Sequence, residues 1–199
     1  MPRKAKTKKN LTAAVEAAEN LMDGLGLDRT EEGKNKTPER MIKYLDEFCQ
    51  PFDVEDLLGP HRTFEAKNYR GMITQTRIPF KALCEHHMVP VMGFAAVGYI
   101  PNERIVGLSK LTRLVQAVGK EAPSTQEYAN QRIVDLLDQY LQPKGVIVLI
   151  EAEHGCMACR GVNVSGIITS TSSLHGVFRD VPQARTEFFE IVSRGETRI

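Results

Sequence analysis

Two short clusters gather most of the residues in this chain that can hold a metal or carry a proton. They are Leu83-Cys84-Glu85-His86-His87-Met88-Val89-Pro90 and His154-Gly155-Cys156-Met157-Ala158-Cys159-Arg160-Gly161. Together they contain three of the four cysteines and three of the five histidines. Thiolate sulfur and imidazole nitrogen suit Zn²⁺, and a catalytic zinc site keeps three protein ligands and one open position. Cys84, His87 and Cys156 can supply that set. His86 and His154 are then left beside it, where proton-transfer groups are useful. A lone Cys or His is most often a core residue. Here the two types are clustered, and outside the clusters stand only Cys49, His61 and His175. Cys156-x-x-Cys159 also matches a redox pair or half a zinc knuckle, but the chain has no second C-x-x-C to close a four-cysteine site. Cys159 is therefore expected to be a buried or half-buried bystander, since a fourth thiolate would take the position that water needs.

These clusters depend on the elements that bring them together. Residues 11–25 carry Ala14, Val15, Ala18, Leu21 and Met22 at helical spacing. Thr37-Pro38 reads as an N-cap followed by proline at the first helical position, and residues 53–58 can add a short helical turn. Strand composition follows at 71–78 and 92–101, with the Cys84–His87 cluster on the connection between them. Leu111, Leu114, Val115 and Val118 mark one helix; Ile133, Leu136, Leu137, Tyr140 and Leu141 mark the next, after a break at 119–123. The apolar run 146–150 is expected to be buried on both faces. His154-Gly155-Cys156 sits past its end, and residues 162–171 can return as a strand. Residues two apart in an extended segment share a face, so His154 and Cys156 are expected to point the same way. Residues 182–194 close the chain with a helix bearing Ala184, Phe188, Ile191 and Val192 on one side. Helices, then strand–strand–helix–helix–strand–strand, then a helix is an α+β order.

A length of 199 residues suits one good core with a small appendage. The expected organisation is a disordered basic tail at 1–10, an N-terminal helical region at 11–62 and a catalytic domain at 63–199. The net charge of +1 gives no reason to expect nucleic acid as a partner. The tail has no apolar segment, so it is not a secretory signal, and no apolar run approaches a membrane span. Cysteines used mainly for a site fit a reducing cytoplasm better than a disulfide framework.

Cys84-Glu85-His86-His87, Gly107-Leu108-Ser109-Lys110-Leu111, the Gln126-Glu127 pair, and His154-x-Cys156 followed by Arg160-Gly161 resemble GTP cyclohydrolase I. The motifs stand in that family's order and near its spacing, from about residue 37 to 189. The resemblance implies a tunnelling fold, a four-stranded antiparallel sheet with two antiparallel helices between its hairpins. It implies a homodecamer of two stacked pentameric rings, in which closure of the sheets removes exposed edges. It also implies zinc on Cys84, His87 and Cys156, and hydrolysis of GTP at C8 to formate and 7,8-dihydroneopterin triphosphate. His154 would protonate N7, and His86 would serve proton transfers around the ribose opening. Ser109, Lys110, Arg113 and Arg160 would bind the triphosphate, with Arg40 and Lys43 contributed by a neighbouring subunit. Ser109 and Lys110 open a helix, whose free N–H groups favour an anion.

Gln126 and Glu127 have two readings. In the family the pair reads the guanine, the carboxylate accepting from N1–H and the 2-amino group. Ser124-Thr125-Gln126-Glu127 equally satisfies the capping box, in which Glu127 serves its own helix. Just before it, residues 119–123 depart from the commoner family pattern by one extra residue. Two rivals share part of the evidence: a deazaguanine nitrile reductase of the same fold, and a zinc-stabilised relative without catalysis. The first uses a nucleophilic cysteine without a zinc triad; the second has no need of His86, His154 or the phosphate cluster.

Overall fold

Asn10 starts the first helix, α1 (Leu11–Gly24), its side-chain oxygen accepting from the Ala13 N–H at 3.1 Å. That satisfies one of the donors a helix start leaves without an intrahelical partner. This computed structural model describes residues 8–196, so seven residues of the expected basic tail lie outside the described residues. The chain divides into two compact units, one ending at Glu47 and the other beginning at Phe48. In the first, α1 packs against α2 (Thr37–Asp46). Thr37 is the first residue of α2 and not its cap: Lys36 holds that position, and no side chain caps the helix. Pro38 lies where a missing N–H costs nothing.

The second unit begins upstream of the expected boundary at residue 63, and the reason is burial. Leu58, in α3 (Glu55–Leu58), is 1% exposed and belongs to the core of this unit. A 3-10 turn at Pro60–Arg62 leads into β1 (Thr63–Glu65). Next come β2 (Ile73–Leu83), β3 (Pro90–Ile100), β4 (Arg104–Val106), α4 (Leu108–Glu121) and α5 (Gln126–Leu141). The chain ends with β5 (Gly145–His154), α6 (Gly155–Ala158), β6 (Ile168–Gly176), α7 (Val177–Asp180) and α8 (Pro182–Glu196). β1 and β4 form a small antiparallel ribbon that composition did not reveal. The others form a four-stranded antiparallel sheet in the order β2-β3-β5-β6, with α4 and α5 inserted between the two hairpins. The class is α+β.

Period-two alternation decides which side of the sheet each residue serves. Val146, Val148, Ile150 and Ala152 of β5 join Leu111, Leu114, Ile133 and Leu137 of α4 and α5 in the main core. Ile147 faces the other way, into a smaller cluster with Ala96, Phe178, Phe188 and Val192. The run at 146–150 is therefore covered on both sides, except that Leu149 is only partly buried. On β3 the second face continues past Ala96 to Phe94 and Met92, both about half exposed.

The strand expected at 162–171 starts only at Ile168. Gly161, Asn163 and Gly166 adopt positive φ, which breaks an extended chain. Register then gathers the strand ends: Leu83 pairs with Pro90, Val91 with His154, and Glu153 with Ile168. One end of the sheet, past the C-terminal ends of β2 and β5, thus carries both reactive clusters.

Candidate active site

The β2–β3 connection is tight. The Cys84 N–H donates to Val89 O at 2.9 Å, and the Met88 N–H donates to Cys84 O at 2.9 Å. Met88 takes φ 55 to allow it. Cys84 is left at the buried root of the turn, with His86 and His87 exposed above it. Sγ of Cys84 lies 3.8 Å from Nδ1 of His87 and 3.9 Å from Nδ1 of His86.

Cys156 arrives from the other hairpin. The ligand atoms of Cys84, His87 and Cys156 all lie within 4.8 Å of one another. Tetrahedral zinc with bonds of about 2.3 Å to sulfur and 2.0 Å to nitrogen separates S from N by about 3.6 Å, so the 3.8 Å contact fits such an ion. Burial pushes the Cys156 thiol up from its ordinary range, and the adjacent Cys84 adds to that by charge and hydrogen bonding. A cation among these sulfurs would reverse that preference. The route by which Cys156 arrives differs from the expected one. β5 ends at His154 and the chain turns at once into α6, so the shared-face argument for an extended segment does not apply. Gly155 makes the turn close to β3, where an added Cβ would sit 2.8 Å from Pro90 O. Cys159 is exposed, not buried or half-buried as expected; it stands outside the ligand group, as a bystander would, and its Sγ donates to Gly155 O.

His154, at the end of β5, is half-buried, and its Nε2 lies 2.8 Å from Oε1 of Gln126. Gln126 is 3% exposed, and its amide nitrogen donates to Ile150 O and Thr169 O, both at 2.9 Å. Both hydrogens of the Gln126 amide are thus engaged inside the fold, which leaves its NH₂ group unavailable to a guanine. Asn130 stands one turn further along α5, fully buried, and donates to Thr171 O at 2.7 Å. It was missed in the sequence, although a Gln and an Asn four apart in an otherwise apolar stripe are a usable signal. The capping box does not form either. Thr125 is the N-cap, accepting from the Tyr128 N–H at 3.1 Å, while Ser124 is buried. Glu127 is left exposed, and among the described residues its carboxylate has no hydrogen-bond partner.

At the start of α4, Gly107 is the N-cap and no side chain caps the helix. Ser109 and Arg113 are exposed there, and the half-buried Lys110 reaches Asp56 O at 3.2 Å. The Lys110 ammonium is pushed below its ordinary pKa, first by desolvation and then by the charges of Arg62 and Arg113. Arg62 gave no sequence signal; the 3-10 turn before β1 brings it here. Arg160 is exposed and donates from Nη1 to Nε2 of His87 at 2.6 Å. Arg40 and Lys43 lie on α2, in the first unit, where Nη1 of Arg40 donates to Gly33 O at 3.3 Å. His175, which no reading had assigned, lies 3.0 Å from Asp138.

Three potential ligands with two imidazoles alongside define an enzyme site and not a structural knuckle. The cationic start of α4 is not brought to it within this chain: Thr112 meets Gln75 near the start of β2, whereas it is the far end of α4, at Gly119, that approaches Lys81 near Cys84. Residues 14–193 match the model of the GTP cyclohydrolase I family, and the chain belongs to that family. It is 42% identical over 178 residues to a GTP cyclohydrolase 1 of Hydrogenobaculum sp., covering 89% of this chain and 95% of the relative. It is 44% identical over 174 residues to one from Allorhizobium ampelinum, covering 85% of each. Among solved structures it is similar to an archaeosine synthase QueF-Like in the apo form, over 53% of this chain and 93% of that one. At a TM-score of 0.44 and 11% identity, that likeness carries no argument.

Proposed function

We propose that this enzyme opens the imidazole ring of GTP at C8, releases formate and forms 7,8-dihydroneopterin triphosphate. That would be the first committed step toward a folate, another pterin or a deazapurine. The observation that carries this is the approach of Cys84, His87 and Cys156 to within 4.8 Å beside His154. Zn²⁺ is the cofactor proposed for that set, and its contribution would be a water acidic enough to attack as hydroxide near neutral pH.

The remaining work falls to the chain's own groups. His154 gives a proton to N7 of the guanine, which makes C8 electrophilic. His86, about two-thirds exposed, is free to move protons at the opened ribose. Glu127, with its carboxylate unengaged, accepts from the guanine N1–H and 2-amino group. The triphosphate carries about four negative charges, which call for converging cations and helix N–H groups. Arg160 stands beside the ligand set, while Ser109, Lys110, Arg113 and Arg62 gather at the other end of β2, so these four would supply such groups to a triphosphate in a neighbouring subunit's site. In the present structure Arg160 donates to His87 Nε2, which requires the proton of that ring on Nδ1. If His87 were to hold a metal through Nδ1, its ring proton would sit on Nε2 and Arg160 would be free to turn toward the substrate.

The tunnelling fold and a decamer with shared sites belong to the same proposal. They are supported by the unpaired edges of β2 and β6, and by the half-exposed Met92, Phe94 and Ile168 on the sheet. Arg40 and Lys43 would then act on a neighbour's triphosphate. The cytoplasm is the proposed compartment, in keeping with four free cysteines; among the described residues no helix is long and apolar enough to cross a membrane. The test is metal content together with formate release from GTP. One zinc per chain and formate formation are expected, both lost in Cys156→Ser. A metal-free variant that still releases formate would refute the proposal.

A further inference from the structure

We propose that Gln126 is a positioning residue that locks His154 in the tautomer with its hydrogen on Nε2, so that Nδ1 is the nitrogen presented to the substrate. This rests on the reading of His154 as a proton carrier. The argument starts from the amide. Carbonyl oxygens only accept hydrogen bonds, and two of them, Ile150 O and Thr169 O, lie 2.9 Å from one end of the Gln126 side chain. That end must be the NH₂ group, because an oxygen there would face two carbonyls with no hydrogen between them. Thr171 Oγ1, at 3.1 Å, is also close to it.

The opposite end is then an oxygen, and it lies 2.8 Å from Nε2 of His154. A carbon of the ring could not approach so closely, so the ring is not reversed. An oxygen acceptor requires a donor, and a neutral imidazole has only one N–H. That N–H must therefore be on Nε2, leaving the lone pair on Nδ1. Among the described residues Nδ1 has no hydrogen-bond partner. In the forward step the N–H bond at Nδ1 of the imidazolium breaks and one forms to the substrate nitrogen. The ring returns to the neutral Nε2–H form without giving up its bond to Gln126, and water restores the Nδ1 proton.

Gln126 can hold this orientation because it is itself overdetermined. It is buried at the first turn of α5, and its two acceptors belong to neighbouring strands, β5 and β6. The side chain thus reads the β5–β6 ladder and transmits its position to His154, which a flexible surface residue could not do.

The experiment is magic-angle-spinning ¹⁵N NMR on the zinc-loaded, full-length enzyme labelled at histidine, which does not depend on assembly size. His154→Asn identifies the His154 signals. At a pH where the ring is neutral, a pyrrole-type Nε2 and a pyridine-type Nδ1 are expected. Gln126→Met, which keeps length but removes the acceptor, should give a mixture of tautomers and lower kcat about tenfold, with KM and zinc content little changed. A pyridine-type Nε2 in the wild-type enzyme overturns the inference, a result that needs no variant to fold. A scrambled tautomer with undiminished kcat would instead overturn the proton-carrier role of His154 and leave the tautomer assignment standing.

Discussion

Replacing Gly155 by alanine should impair turnover far more than it impairs folding. Gly155 joins His154 to Cys156, and its φ lies outside the left-handed region, so the backbone itself accepts an alanine. On chain entropy alone the change would stabilise by about 0.4–1 kcal/mol. The new Cβ, however, would lie 2.8 Å from Pro90 O and 3.5 Å from Val89 Cβ. Carbon–oxygen contacts settle at about 3.3 Å or more, so α6 and the end of β3 must separate by about 0.5 Å. Overpacking of this kind costs about 1–3 kcal/mol, which leaves a net loss of about 0–2.6 kcal/mol. The displacement falls on the two residues whose geometry the chemistry needs. A misplacement of about 1 Å can cost about 100-fold in rate, so half of that should cost about tenfold in kcat. Urea midpoints, bound metal and formate release from GTP should be measured on the same preparations, with Gly24→Ala as a control, because its added Cβ would meet nothing within 4 Å. An unchanged kcat in Gly155→Ala, at normal stability, would show that the contact with Pro90 does not set the site.

His154→Ala and His86→Ala should both retain zinc, the first failing to open the ring and the second blocked after hydration; metal loss in either, measured by atomic absorption, would contradict the division of roles. Lys110→Ala removes one charge-assisted contact, worth about 1.5–3 kcal/mol, so kcat/KM for GTP should fall by about one to two orders of magnitude with metal content unchanged. If sites are shared between subunits, mixing inactive Arg40→Ala with inactive Cys156→Ser should restore part of the activity, and sedimentation should show a species near ten times the 22.3 kDa chain; proven subunit exchange without recovery would refute sharing. Burial raises the Tyr99 phenol above its ordinary pKa. As pH passes about 10 the unfolded chain therefore loses that proton first, the native state binds more protons, and stability falls as pH rises. Tyr99→Phe should lack that component of the slope between about pH 9 and 11, after losing about 1 kcal/mol with the hydrogen bond from the Val106 N–H. Equal slopes would count against it.

The sequence by itself determined the donor set and the class of fold. Cys84, His87 and Cys156 were legible because metal chemistry restricts residue types, and clustering of rare types survives without coordinates. Helices α4, α5 and α8 were legible because each buries a stripe at helical spacing, and β3 and β5 because their apolar runs pack against those stripes. Tertiary structure decided the rest. Whether the Ser124–Glu127 segment caps its helix could not be read from four residues that satisfy two motifs; pairing of β5 with β6 draws Gln126 inward, and Thr125 takes the cap. The start of β6 was misplaced because Val162 and Val164 alternate like a strand, while positive φ at Gly161, Asn163 and Gly166 keeps them outside the ladder. Arg62 carries no local signal at all, and only the fold brings it beside Lys110. Side-chain chemistry is a property of residues and can be read one by one. The direction in which a buried amide points depends on which carbonyls face it, and those come from strands some twenty-four and forty-three residues away.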